Sequence, residues 1–439
     1  MDGKERISHK IILRSNAKFE KGVPPGYYGK YLFRMGERLQ VGSTIAPGGI
    51  SAHLRVGEVN LGGGVTLKNG VIGDYCIRLG QGILGWNSFS MSGGGAPSSL
   101  LRRGTGLVPY SATSPEEVCR GLGVTLGFGP MVEGTFFYSQ QRESLVGGSA
   151  AVEGERYRIG FNVLAARGVE WCGGASLDAI WSIGRYRLFG EGALDKEGDG
   201  ALILGAVLPV NGDFECSAAA RWYSPSYYAD YSGGLSSTSA CKNQFGFIYN
   251  SVWTPCAELE LRSVVDIVYY PAPRYGVKVP SFEVESSVEG VWSRGDHHLN
   301  CRWRYRYYGH QSRHKSGVRL DYHFRPGSGF YGGVRGEVVW DNIYKGTLSP
   351  GVAFYVECGY LPVGKKWECA VRGTVYHIDS WDNRIYFYER DLPQSFSVPA
   401  LYRRGWDLYG YIKYVPLSRA GLYLKVSTKM IKGQITLTF

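Results

Sequence analysis

Between Ala257 and Arg325 the side chains alternate between apolar and polar through four consecutive segments. The first places Leu259, Leu261, Val265, Ile267 and Tyr269 on one face, with Glu258, Glu260, Arg262 and Asp266 on the other. The second sets Phe282, Val284, Val288 and Trp292 against Glu283, Glu285 and Glu289. After Gly295-Asp296, Trp303, Tyr305 and Tyr307 alternate with Arg302, Arg304 and Arg306; then Val318, Leu320, Tyr322 and Phe324 alternate with Arg319, Asp321, His323 and Arg325. A period of two is that of an extended strand with unlike faces. The segments run to roughly 10–14 residues, beyond the ~5–6 usual for globular strands and long enough to cross a bilayer when tilted.

Such strands fit a water-soluble sandwich, which hides the apolar face against a second sheet, or a membrane barrel, which turns it to lipid. Aromatic residues gather at strand ends (Tyr269, Tyr270, Trp292, Tyr307, Tyr308, Trp340, Tyr411, Tyr414), as interfacial belts do. The last residues, Gln434 to Phe439, form an alternating strand that stops on an aromatic and resembles the C-terminal assembly signal of bacterial outer-membrane barrels, with Ile435, Leu437 and Phe439 at the signal positions. In hydrocarbon an unpaired backbone group costs several kcal/mol, so the sheet must close on itself. The expected fold is all-β: a closed antiparallel transmembrane β-barrel of about 18–22 strands, even in number, forming one domain over residues 1–439 with long extracellular loops.

Composition agrees. The 63 Gly, 32 Tyr and 11 Trp against 5 Met suit strands and turns, and no apolar run approaches the ~20 residues of a membrane helix. Basic residues exceed acidic ones by 49 − 38 = 11, which favours anionic partners without naming one. The nine cysteines are scattered singly, indicating neither a zinc site nor a disulfide scaffold, with room for one loop disulfide. Met1 to Arg6 is charged and lacks the apolar core of a signal peptide; set against the strand pattern, Met1 reads as the start of a mature chain or of a fragment.

Two stretches depart from the pattern. Residues 83–115 contain a Gly/Ser-rich run from Met91 to Ser99 followed by Arg102-Arg103, fitting either an extracellular loop or a plug-like insertion into the lumen. Ser224 to Gly234, rich in Tyr and Ser, has the composition of a surface contact loop. Gly62-Gly63-Gly64 lacks the Lys-Ser/Thr of a phosphate loop and reads as a barrel bend.

The runs Gly73 to Gly82, Arg120 to Leu126 and Tyr223 to Tyr227, with His9 to Arg14 and Tyr28-Gly29, resemble the outer-membrane barrel that follows a helix-hairpin-helix region in some diderm bacteria. The likeness covers most of the chain. It implies an outer-membrane barrel more than an activity. No helix-hairpin-helix segment lies within these residues, so a DNA-binding role is not carried over.

Enzymatic and metal chemistry find little support. His310 and His314 have metal-like spacing but sit beside Arg313 and Lys315, whose charge repels a cation. Asp321 and His323 share a face, yet no nucleophile can be assigned to them, and an ion-paired wall is the simpler reading. No cofactor or metal is expected, and the protein is read as not an enzyme.

The charge pattern is more informative. If Gly295-Asp296 is a two-residue hairpin turn, Arg294 pairs with His297, Glu289 lies opposite Arg302, Glu285 opposite Arg306 and Val288 opposite Trp303. An acidic wall (Glu258, Glu260, Asp266, Glu283, Glu285, Glu289) then stands beside a basic one (Arg302, Arg304, Arg306, Arg319, Arg325), with Asp321 and His323 also facing the lumen. The leading expectation is a porin-like passive channel for small polar or anionic solutes. The alternative is a non-conducting accessory barrel of an outer-membrane complex; a DNA-uptake pore and a lumenal hydrolase are more distant. Expected partners are outer-membrane lipid and lipopolysaccharide, the barrel-assembly machinery and other envelope proteins, with nucleic acid disfavoured.

Overall fold

Antiparallel pairing passes from each strand to the next and returns from Met430–Thr438 to Ile7–Lys18, where Ile435 lies opposite Leu13 and Leu437 opposite Ile11. The computed structural model describes residues 7–88, 95–112, 118–141, 143–341, 350–362, 364 and 366–439. Among them the fold is a closed antiparallel barrel of 24 strands. Among the described residues no helix is long and apolar enough to cross a membrane.

The count exceeds the expected 18–22. The strand Ser144–Glu153, with sequence Ser-Leu-Val-Gly-Gly-Ser-Ala-Ala-Val-Glu, has too little polar contrast to show a period of two. The Gly-rich region before Gly70 also holds three separate wall strands, Leu39–Ala46, Gly49–Val56 and Val65–Arg78. Gly62, Gly63 and Gly64 all have positive φ (88°, 59° and 79°) and make the turn from Val59–Gly62 into Val65–Arg78, not a bend within a strand. The nine cysteines are free, so the loop disulfide does not form.

The apolar positions decide between barrel and sandwich. Trp303 is 41% exposed, Val318 37% and Leu320 49%, and Phe282, Val288 and Ile435 are exposed as well. Among the described residues no second sheet covers them. An apolar surface this extensive, on a sheet whose backbone pairing is closed, is one that lipid covers.

The chain forms two compact units. The first is built mainly from Tyr31–Val252 and Val264–Phe282. After Arg78 the chain turns through Gly80 (φ 51°) and Gly82 (φ 92°), and the N–H groups of Gln81 and Ile83 donate to Oε2 of the buried Glu191 at 2.7 and 3.2 Å. A Cβ on Gly80 would stand 2.7 Å from that carboxylate, so only glycine permits the approach. Gln81 ties down the returning chain, its Nε2 donating to Arg102 O and its Oε1 accepting from Arg102 N. Ile83 and Leu100 then pack with Phe189, Ile203, Val207 and Ile248 in one buried cluster.

The stretch from Ser224 joins the same cluster: Tyr227 is fully buried and its hydroxyl donates to Ile83 O at 3.2 Å. The expectation of a surface contact loop there is corrected, because the tyrosine rings face the strands rather than solvent. Of residues 83–115, positions 89–94 and 113–115 lie outside the described residues.

The second unit is built mainly from Glu283–Phe439, with Lys10–Lys30 and Trp253–Ser263. Its strands carry the charged wall. If its apolar face meets lipid, Val288→Arg, at the middle of a 14-residue strand, lowers stability by about 2–4 kcal/mol, as a cation does near the bilayer midplane. Equilibrium unfolding in phospholipid vesicles measures this; a neutral result would place Val288 in water.

Candidate functional site

The strands Ser281–Arg294 and His297–Tyr308 are joined by a two-residue turn in which Gly295 has φ 56°. The register pairs Arg294 with His297, Glu289 with Arg302, Val288 with Trp303 and Glu285 with Arg306, as the alternation and the turn together require. The ionic contacts are not all across the rungs. Glu285 binds both Arg306, opposite it, and Arg304, on the diagonal. Glu289 instead accepts from Asn300 Nδ2 at 2.6 Å and has Arg262 Nη1 at 3.8 Å.

The other expected wall residues fall variously. Glu260 is ion-paired with Arg262 on its own strand, Leu259–Tyr270. Glu283 stands opposite Tyr308. Glu258 precedes the first residue of its strand and sits exposed in the turn, where its carbonyl accepts from Ser293 N. Arg325 likewise lies past the end of Arg313–Phe324, its N–H bonded to Asp296 O. Asp266 belongs to the first unit, where it pairs at 2.8 Å with the fully buried Arg221. Asp321 is held by Arg335, directly opposite on Phe330–Asp341, so its carboxylate is already engaged and does not form an acid–base pair with His323.

Next to this hairpin, Arg313–Phe324 sets like charges face to face: Arg302 lies opposite Arg319, and Arg306 opposite Lys315. Like charges directly across a rung destabilise a sheet unless something neutralises them. Arg319 is answered by Glu337 at 2.7 Å and Arg306 by Glu285.

A segment the sequence reading did not single out, residues 379–402, completes the site. It begins with the short turn Trp381–Asn383, capped by Ser380, and closes with Ile385–Tyr386 paired to Ala400–Leu401. The strands hold it from several sides. Arg372 donates to Tyr388 O at 2.7 Å and Arg14 to Pro393 O at 2.8 Å, while Lys425 binds Glu389 at 2.7 Å and Lys432 binds Asp391 at 2.8 Å. Ile385, Phe387 and Leu401 bury themselves against Tyr355 and Ile378. A sequence signal existed: Lys425 and Lys432 lie opposite one another in the last hairpin, a like-charge pair that demands carboxylates from elsewhere.

Between this segment and the basic strands lies a cavity of about 340 Å3. The strand His297–Tyr308 contributes Arg302, Arg304 and Arg306, and its neighbour contributes Arg313, Lys315 and Arg319. Gly317, opposite Arg304, leaves room, and Arg384 enters from the inward segment beside Asp382. Arg384 is fixed by Nε donating to Tyr386 Oη at 2.6 Å and Nη1 to Trp381 O at 3.0 Å. Among the described residues four carboxylates, Glu285, Glu337, Asp341 and Asp382, bind four of these seven cations, Arg304, Arg306, Arg313 and Arg319, so 7 − 4 leaves an excess of three positive charges.

No protein-family model matches the chain, and no curated protein sequence matches it. Among solved structures, it is similar to the siderophore receptor PirA from Pseudomonas aeruginosa (8% identity, TM-score 0.49, covering 100% of this chain and 81% of that one). It is also similar to OccAB1 from Acinetobacter baumannii (10% identity, TM-score 0.40, 99% and 95%) and to OprD from Pseudomonas aeruginosa (8% identity, TM-score 0.38, 99% and 94%).

The anchors of the inward segment yield two expectations. Glu357 accepts from Arg372 Nε at 2.8 Å and Tyr409 Oη at 2.9 Å, all three side chains being buried. Glu357→Ala strands Arg372 and costs about 3–5 kcal/mol in chemical unfolding. Burial works against ionisation of Asp391, but Lys432, the Leu392 N–H and Ser395 Oγ overcome it and hold the carboxyl below the usual carboxylate range. A depressed folded pKa stabilises the docked segment above the ordinary Asp value of about 3.9, and that contribution is lost as pH falls below it. Cleavage of residues 379–402 by an acid protease therefore rises as pH drops beneath that value, and Asp391→Asn flattens the profile.

Proposed function

We propose that the protein is an outer-membrane barrel of a diderm bacterium that lets small polar and anionic solutes pass along the charged wall of its second unit. The observation that carries this reading is the basic cavity, with its excess of three positive charges on a face opposite the exposed apolar one. Glu285, Glu289, Arg302, Arg304, Arg306 and Arg319 then line a wet passage, and the acidic and basic strands set a transverse field across it. Ile435 and Leu437, on the strand that closes the barrel, and Phe439, just past its end, are the residues we assign to recognition by the barrel-assembly machinery. Lipid and lipopolysaccharide cover the apolar face.

One observation favours a second reading, a non-conducting accessory barrel bound to other envelope proteins. In the first unit, Ile83, Leu100 and Tyr227 cover the strands with a packed apolar core instead of a charged wall. A lumenal hydrolase has no such support, since Arg335 occupies the carboxylate such an enzyme would need.

Purified protein in planar bilayers tests the channel. The expected result is discrete conductance steps with a reversal potential favouring anions, shifted toward cations by Arg302→Glu. Silence from correctly folded protein would reject the passage and leave the accessory reading.

A further inference from the structure

The second unit treats its facing cations in two ways. Where Lys425 meets Lys432, the inward segment delivers Glu389 and Asp391, one carboxylate to each ammonium. Where Arg302 meets Arg319 and Arg306 meets Lys315, only Arg319 and Arg306 are answered. Among the described residues, Arg302, Lys315 and Arg384 have no carboxylate oxygen within 4.0 Å, and all three border the same cavity. The chain thus leaves unneutralised here the repulsion it neutralises elsewhere with its own side chains.

We infer that this cavity binds a compact oxyanion carrying two or three negative charges, of the phosphate-ester or polycarboxylate kind, as the missing counter-charge. The excess of three cations matches that charge. Arg302 presents a planar fork of donors that no carboxylate among the described residues occupies, and Lys315 and Arg384 border the same cavity, so one solute can meet several cations at once. Arg384 is already fixed by Tyr386 and Trp381, so little ordering is left for binding to cost. At about 340 Å3 the cavity falls at the small end of the ~300–1,000 Å3 range of ligand sites. This deepens the channel reading and rests on it only for the route by which the anion arrives.

Isothermal titration of the full chain in detergent, with inorganic pyrophosphate, citrate or acetate as probe, tests the site. Pyrophosphate or citrate is expected to bind saturably at one site per chain, less tightly as salt rises, while acetate does not saturate. Arg302→Gln and Arg384→Gln each weaken binding about tenfold or more. Neither substitution strands an ion-paired carboxylate, so both variants retain the fold, which their heat-modifiable gel mobility verifies. Arg185→Gln, in an exposed turn of the first unit, leaves binding unchanged. The ratio of the two affinities sorts a phosphate ligand from a carboxylate one. The site is overturned if neither polyanion saturates, if acetate binds as tightly, or if the two cavity variants bind like the parent. Binding without conductance would reject the channel and keep the site; conductance without binding would do the reverse.

Discussion

Within hydrocarbon the peptide groups of a strand can bond only to another strand, and this requirement organises the molecule. Pairing each strand with the next, and the last with the first, satisfies it. One face of every strand is then committed to lipid, which is why Trp303, Val318 and Leu320 are exposed rather than hidden. The remaining polarity of the sequence is forced onto the other face, where it must be hydrated, paired or covered.

The two units meet that demand differently. In the first, chain that enters after Arg78 covers the strands with a packed core, and Glu191 is solvated by backbone N–H groups in place of water. Arg221, fully buried, is paid for by Asp266 and Ser237. In the second, the strands carry many more ions and settle most of them among themselves, as with Arg372 and Glu357 or Arg319 and Glu337. A charged wall that balances almost everywhere makes its unbalanced patch informative: the surplus around Arg302, Lys315 and Arg384 is local and faces a void of molecular size.

Much of this could be read from the residues. The four alternating segments yielded strand identity, facing and the register around Gly295-Asp296, because period and turn length together leave one arrangement of Glu285, Glu289, Arg302 and Arg306. Strand number was less legible, since Gly and Ala in Ser144–Glu153 carry no contrast between faces. The charge pattern located the basic strands but not their contacts: side chains as long as Arg and Glu choose between the rung and the diagonal, and Glu289 takes Asn300 over Arg302. Residues 379–402 were missed because their burial depends on partners such as Arg14 and Lys432, which lie in other strands and have no local signature.

The pairing of the first strand with the last also bears on how the molecule assembles. Most neighbouring strands are hairpins whose contacts form between residues close in sequence, and these can zip as soon as both arms exist. The seam is different: Arg14 and Gln434 meet across 420 positions. Closing so long a loop costs entropy before any contact repays it, so sealing is the slow step. Until it occurs, both end strands present a bare ladder of donors and acceptors, open to any other strand nearby. The same bonds that leave the finished cylinder without an edge make its penultimate state the one most exposed to mispairing.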